Sequence, residues 1–235
     1  MKVFLSLVLF LFPYLGWAQS QPVLKPVSAS ELYVPIGFDD NDTNVQVVFE
    51  GIFPNSCYLR AEPKVEISGK KIKIQPQAYV RSGPCLTVLI PYQQEINLGM
   101  LEGGDYEVQI SKAGQTVTAI LPIEEARSEE TDNYLYAPIR HARLISKKDR
   151  LLRLEGEFTN SCMKLKEIQI YVPSDQVVIL LPIAEYDQKE GEVCAERLIP
   201  FVTDIHIDEE TAPPGRYLFH IRSIGGNALN FIEDL

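Results

Sequence analysis

Beyond residue 17 the sequence has no tryptophan, and its 235 residues hold only three histidines, three methionines and four cysteines. It also lacks a basic surplus: 22 Lys+Arg stand against 32 Asp+Glu, a net charge of −10. Non-specific nucleic-acid binding needs a basic face to displace phosphate counterions, so the composition argues against it. No Gly-x-Ser-x-Gly, His-Glu-x-x-His, Cys-x-x-Cys or phosphate-cradling glycine loop occurs, which removes the commonest signatures of catalysis and cofactor binding. Asp42-Thr43-Asn44 lacks the glycine of an aspartic-protease loop, and Ser223-Ile224-Gly225-Gly226 lacks an accompanying acid. No segment keeps a long 3.6-residue period, so extended helices are not expected. What remains, at 46% hydrophobic and 23% charged, is the composition of a globular protein.

The leader is the first positive signal. Met1-Lys2 carries one charge, Val3 to Tyr14 is almost unbroken apolar sequence, and Gly16-Trp17-Ala18 places small residues at −3 and −1 of a cut before Gln19. The run is shorter than the roughly 20 residues a bilayer needs, and Pro13 interrupts it. Residues 1–18 therefore read as a signal peptide of bacterial type, which implies a secreted or periplasmic protein with no transmembrane segment once the signal is removed.

The second signal is a duplication. Glu50-Gly51-Ile52-Phe53-Pro54-Asn55-Ser56-Cys57 returns as Glu155-Gly156-Glu157-Phe158-Thr159-Asn160-Ser161-Cys162. Leu32-Tyr33-Val34-Pro35-Ile36 returns as Leu135-Tyr136-Ala137-Pro138-Ile139, and Cys85 with Leu89-Ile90-Pro91-Tyr92 as Cys194 with Leu198-Ile199-Pro200-Phe201. Period-two alternation in Val47, Phe49, Gly51 and Phe53, repeated in Leu152, Leu154, Gly156 and Phe158, marks strands. Short strands separated by turn signals over about 100 residues predict a sandwich of seven strands. Gly51 and Gly156 inside a strand predict a bulge or a close approach. The expected organisation is all-β: an N-terminal arm over 19–30, repeat 1 over 31–123, an acidic linker over 124–133, and repeat 2 over 134–235. The linker is expected to be exposed, because it carries five acids and one base with few apolar side chains.

Each copy holds two cysteines, so intradomain bridges Cys57–Cys85 and Cys162–Cys194 are the natural pairing in an exported chain. Each bridge contributes about 3.5 kcal/mol in the chain-entropy model. The pattern Gly-x-Phe-x-Asn-Ser-Cys, with a second cysteine about 30 residues on and a later Gly-x-Tyr, resembles modules of uncharacterised secreted bacterial proteins. The resemblance implies tandem immunoglobulin-like β-sandwich domains, each with one intradomain disulfide, and carries no catalytic motif. The bridge is not the usual immunoglobulin one, which packs on a buried tryptophan.

Three clusters invite a functional reading. Asp204, His206 and Asp208 alternate with isoleucines on one strand, spaced so that adjacent members could chelate an ion, although a solvated strand face is the stronger expectation. Asp39, Asp40, Asn41 and Asp42 suggest a calcium loop but lack its spacing and closing Glu, so a solvated turn is expected. The matching region of repeat 2 carries Arg140, Arg143, Lys147, Lys148 and Arg150, a candidate site for an acidic partner or for copy one of another molecule, although free drift of an exposed turn is the stronger expectation. Asn55-Ser56 and Asn160-Ser161 are expected to satisfy backbone groups at turns, and Tyr92 and Phe201 to pack. Together these features predict an exported, non-enzymatic binding or structural protein that needs no cofactor. Its partner would be an unidentified protein or envelope component. The alternatives are a metal-assisted hydrolase at Asp204, His206 and Asp208, or a protease inhibitor presenting a loop at 187–192 or 211–215.

Overall fold

The structure, a computed structural model, describes residues 21–174 and 176–235, so the leader at 1–18 lies outside the described residues. Every described element is a strand. In the first copy β2 (Glu31–Tyr33), β4 (Val45–Phe53) and β7 (Ile90–Gly99) form one sheet. The second sheet holds β5 (Tyr58–Ser68), β6 (Lys71–Val80), β8 (Gly104–Lys112) and β9 (Gln115–Glu124), with short β1 (Val23–Pro26) and β3 (Phe38–Asp39) added. Val47 and Phe49 from one sheet meet Ile72, Val108, Ile110 and Leu121 from the other in a closed apolar core. Ala113 and Gly114, both at positive φ, turn β8 tightly into β9.

The second copy repeats the plan. Strands β10 (Ile139–Ser146), β11 (Leu151–Phe158) and β14 (Ile199–His206) form one sheet, and β12 (Met163–Ser174), β13 (Val177–Tyr186), β15 (Arg216–Ser223) and β16 (Asn227–Asp234) the other. Their shared core includes Leu152, Leu154, Val178, Leu180, Phe219 and Ile221. Both copies have a parallel pair at the same place, β6 with β8 and β13 with β15, and the first copy has another, short β3 with β9. An immunoglobulin sandwich is built from antiparallel sheets, so this β-sandwich departs from that strand order.

Two expectations are corrected. The arm expected over 19–30 contains β1, which pairs with β6 from Val23↔Val80 to Pro26↔Gln77 and so belongs to the first sandwich. The match of Leu32–Ile36 to Leu135–Ile139 is not a structural equivalence. Tyr33 faces Val48 on β4, whereas the same place on β11 is faced by Arg143, opposite Arg153. The residue occupying the place of Ala137 is Val27: both donate their amide to a proline carbonyl, Pro182 and Pro76 respectively. Similar short apolar strings produced a false register there because they carry no cysteine or glycine to anchor them.

Both strand glycines are close-approach positions. A Cβ on Gly51 would lie 2.5 Å from the Tyr92 ring, and one on Gly156 would strike the Pro138 carbonyl and lie 2.7 Å from the Phe201 ring. The same rings stack on Phe53 and Phe158 at centroid distances of 4.1 and 4.4 Å. Tyr92 and Phe201 are therefore packing groups.

Candidate functional site: the cleft between the two sandwiches

The outer face of β13 and β15 is apolar where a free sheet face would be polar. Val177, Ile179 and Leu218 on that face bury against Tyr33 and Val48 of the first copy. Burial at this junction joins the sandwiches, and three polar ties fix its orientation.

At one end Arg222, 3% exposed, donates to Asp42 Oδ1 at 3.0 Å and to the Gly37 carbonyl at 2.6 Å, with its guanidinium 4.2 Å from the Phe38 ring centre. At the other end Arg216 grips Glu50 through Nε (3.0 Å) and a terminal nitrogen (2.7 Å), and the Tyr33 hydroxyl donates to the same carboxylate. The Arg216 guanidinium holds the Glu50 carboxyl below its ordinary range. Between them Asn230 donates its amide nitrogen to Gln46 Oε1 and to Glu95. That leaves its oxygen for His220 Nδ1 at 2.8 Å, which places the imidazole proton on Nδ1 and leaves buried Nε2 without a partner among the described residues. Burial, aided by the Arg222 charge, pushes His220 down to about 3.

The segment expected to be an exposed linker is tied into this junction. The Asp132 carboxylate accepts the Gly225 and Gly226 amides, Asn133 donates to Asp39, Asn41 donates to the Ser128 carbonyl, and Ala126 donates to Asp40. The expected solvated acidic turn is likewise corrected. Asp39 and Asp42 are each 3% exposed, because Asp42 neutralises Arg222 and accepts the Asp39 amide.

Beside the junction the same apolar face runs out from under the first sandwich and opens into a cleft of about 600 Å³. Ile36, Ile179 and Leu181 form its apolar part, and Tyr134, Tyr136 and Tyr171 supply three aromatic rings. The chain at 124–133 contributes Glu124 and Arg127, which pair with each other at 3.5 Å. Tyr136 is 6% exposed, and Tyr171 is half exposed. Domain junctions are preferred places for such sites, and mostly apolar linings with a few polar groups are their usual chemistry.

The disulfides are as expected, Cys57–Cys85 and Cys162–Cys194, with no free cysteine among the described residues. Asn55 and Asn160 accept the amides of Cys57 and Cys162, while Ser56 and Ser161 clamp the returning chain at Leu86 and Ala195 through both Oγ and N–H. The other predicted sites are not assembled. Asp204 is held by Arg153 in a two-point pair at 2.7 Å, leaving only His206 and Asp208 in contact with each other at 3.1 Å. Among the described residues no group of three or more His, Cys, Asp or Glu is placed to hold a metal ion.

The basic cluster is dispersed into local pairs. Arg140 binds Glu157, Arg143 binds Glu155 and Lys147 binds Glu233. Arg150 turns inward to the Ile207 and Ala212 carbonyls, and Lys148 stands beside it in the turn. Of the two candidate inhibitor loops, 187–192 closes on itself through Lys189 and Glu192, and 211–215 is tied to Arg150 and the C-terminal strand.

A family model described as the ORF11 beta-sandwich domain matches residues 47–119, which run from β4 into β9 and include the first disulfide. The match supports a β-sandwich module. No curated protein and no solved structure matches the chain. No helix among the described residues is long and apolar enough to cross a membrane.

Proposed function

We propose that this is an exported, non-catalytic binding protein in which two β-sandwiches are fixed together to build one ligand cleft. The observation that carries the reading is the cleft itself. An apolar face continues from a buried junction into open space, where three tyrosine rings line it. A face that served only to join the domains would be covered throughout. The junction also gives the duplication a purpose, since neither copy alone supplies both Ile36 and Tyr171. Away from the cleft, Asp204 is paired with Arg153 and His206 contacts Asp208, which favours binding over turnover.

The test is a small-molecule fragment screen read by NMR on the mature protein. Hits should shift resonances of Tyr134, Tyr171 and Ile36 together, and Tyr171→Ala should remove them without changing the fold. Hits that map to scattered surfaces and ignore Tyr171→Ala would overturn the reading.

A further inference from the structure

Charge and ring geometry narrow the ligand class, taking the cleft as the binding site proposed above. Tyr134 and Tyr136 have ring centres 6.1 Å apart and planes tilted by 59°, so they do not stack on each other. Tyr171 stands opposite Ile179 in the β12–β13 register and is half exposed, offering a third ring on the sheet side. The cationic side chains of the lining are already neutralised: Arg222 by buried Asp42 and Arg127 by Glu124. Segment 124–133 is acidic overall, five acids against one base, and Glu124 is its acid in the lining. An anion entering the cleft would find no free cation in the lining and would meet three electron-rich rings. A cation would gain from the rings, because aromatic quadrupoles attract desolvated ammonium groups. The Tyr136 hydroxyl, kept protonated by burial that pushes it up to about 12, offers lone pairs to an N–H donor.

We propose that the cleft takes a small organic cation, an ammonium group carried on an apolar body, with the charge among Tyr134, Tyr136 and Tyr171 and the body on Ile36, Ile179 and Leu181. The probes are phenethylammonium, phenethyl alcohol and phenylpropionate, of similar size and different charge, titrated into the full mature protein at ~50 mM salt, where surface charge is weakly screened. The cation should bind about 5- to 30-fold more tightly than the alcohol, the range that cation–π attraction provides, and the carboxylate most weakly. Tyr134→Leu and Tyr171→Leu replace exposed rings and should leave folding intact while reducing that preference. Tyr136→Phe should keep the ring contribution and lose only the hydrogen bond. If the alcohol or carboxylate binds best and the tyrosine variants abolish it, the cation assignment is wrong and the cleft remains the ligand site. If none of the three binds, or the variants have no effect, both fall.

Discussion

The same strand positions carry opposite chemistry in the two copies. On the outer face of the second copy, Val177 sits opposite Leu218 and Ile179 opposite His220; in the first copy those places hold Lys71 opposite Glu107 and Lys73 opposite Gln109. On the other sheet Val48 opposite Glu95 in the first copy becomes Arg153 opposite Asp204 in the second. The apolar version is buried between the domains, and the charged version faces water as ion pairs, Lys71–Glu107 and Arg153–Asp204. The junction is therefore one-way, pairing one sheet of the first copy with the opposite sheet of the second. A one-way contact between equivalent units extends into an open chain unless its free ends differ. The two free faces carry ion pairs where the covered ones are apolar.

The largest expected effect separates the buried ion pair from its exposed counterpart. Asp42→Ala leaves Arg222 charged and buried, and should cost about 3–5 kcal/mol in denaturant unfolding. Asp204→Ala on the free face should cost less than about 1 kcal/mol. Equal losses would mean that the junction adds nothing to the pair.

The glycines sharpen the comparison inside the sandwiches. Gly156→Ala meets a backbone carbonyl that cannot move away, so about 2–3 kcal/mol is expected from overpacking. Gly51→Ala meets the far end of the Tyr92 ring, which can shift, and should cost about half as much in the same unfolding measurement.

Acid should loosen the junction before it loosens the rest. With His220 held at about 3 in the folded protein and near 6.5 when unfolded, the unfolded chain takes up a proton that the folded chain refuses. Stability should be full above pH 6.5 and fall by up to about 1.4 kcal/mol per pH unit below it. In the window down to about pH 5 the Glu50 contribution stays intact because Glu50 is held low, while Asp132, pushed up by burial, works in the opposite sense as it takes up its proton. Unfolding curves for the native protein and His220→Gln should converge across that window, the variant being flatter.

The smallest effect on folding but the clearest on assembly comes from making the free faces resemble the covered ones. Lys71→Val, Glu107→Leu and Arg153→Val together should change stability by under about 1 kcal/mol, since exposed pairs contribute little. The same variant should form species that grow with concentration in light scattering. A strictly monomeric variant would show that charge is not what ends the stack.

Much of this was legible in the sequence. Alternation around Gly51 and Gly156, the cysteine spacing and the turn glycines specify the two sandwiches and their bridges. The junction was legible in principle too. Lys71-Ile72-Lys73-Ile74-Gln75 alternates as a strand with one wet face, while Val177 to Leu181 is apolar throughout, the mark of a strand covered on both faces. What local pattern could not give is the pairing across the junction. Asp42 and Arg222 are far apart in sequence, and nothing near Asp42 distinguishes a buried counter-charge from a solvated turn. The cleft was hidden for the same reason: its tyrosines become neighbours of Ile36 only after the domains dock.

Docking as a single block is the claim on which the cleft depends, and residual dipolar couplings measure it directly. Backbone N–H couplings from residues of both sandwiches, recorded on the mature protein in one weakly aligning medium, should fit a single alignment tensor with one magnitude and orientation. Two tensors of different magnitude, one for each sandwich, would show that the domains move independently and would contradict the account.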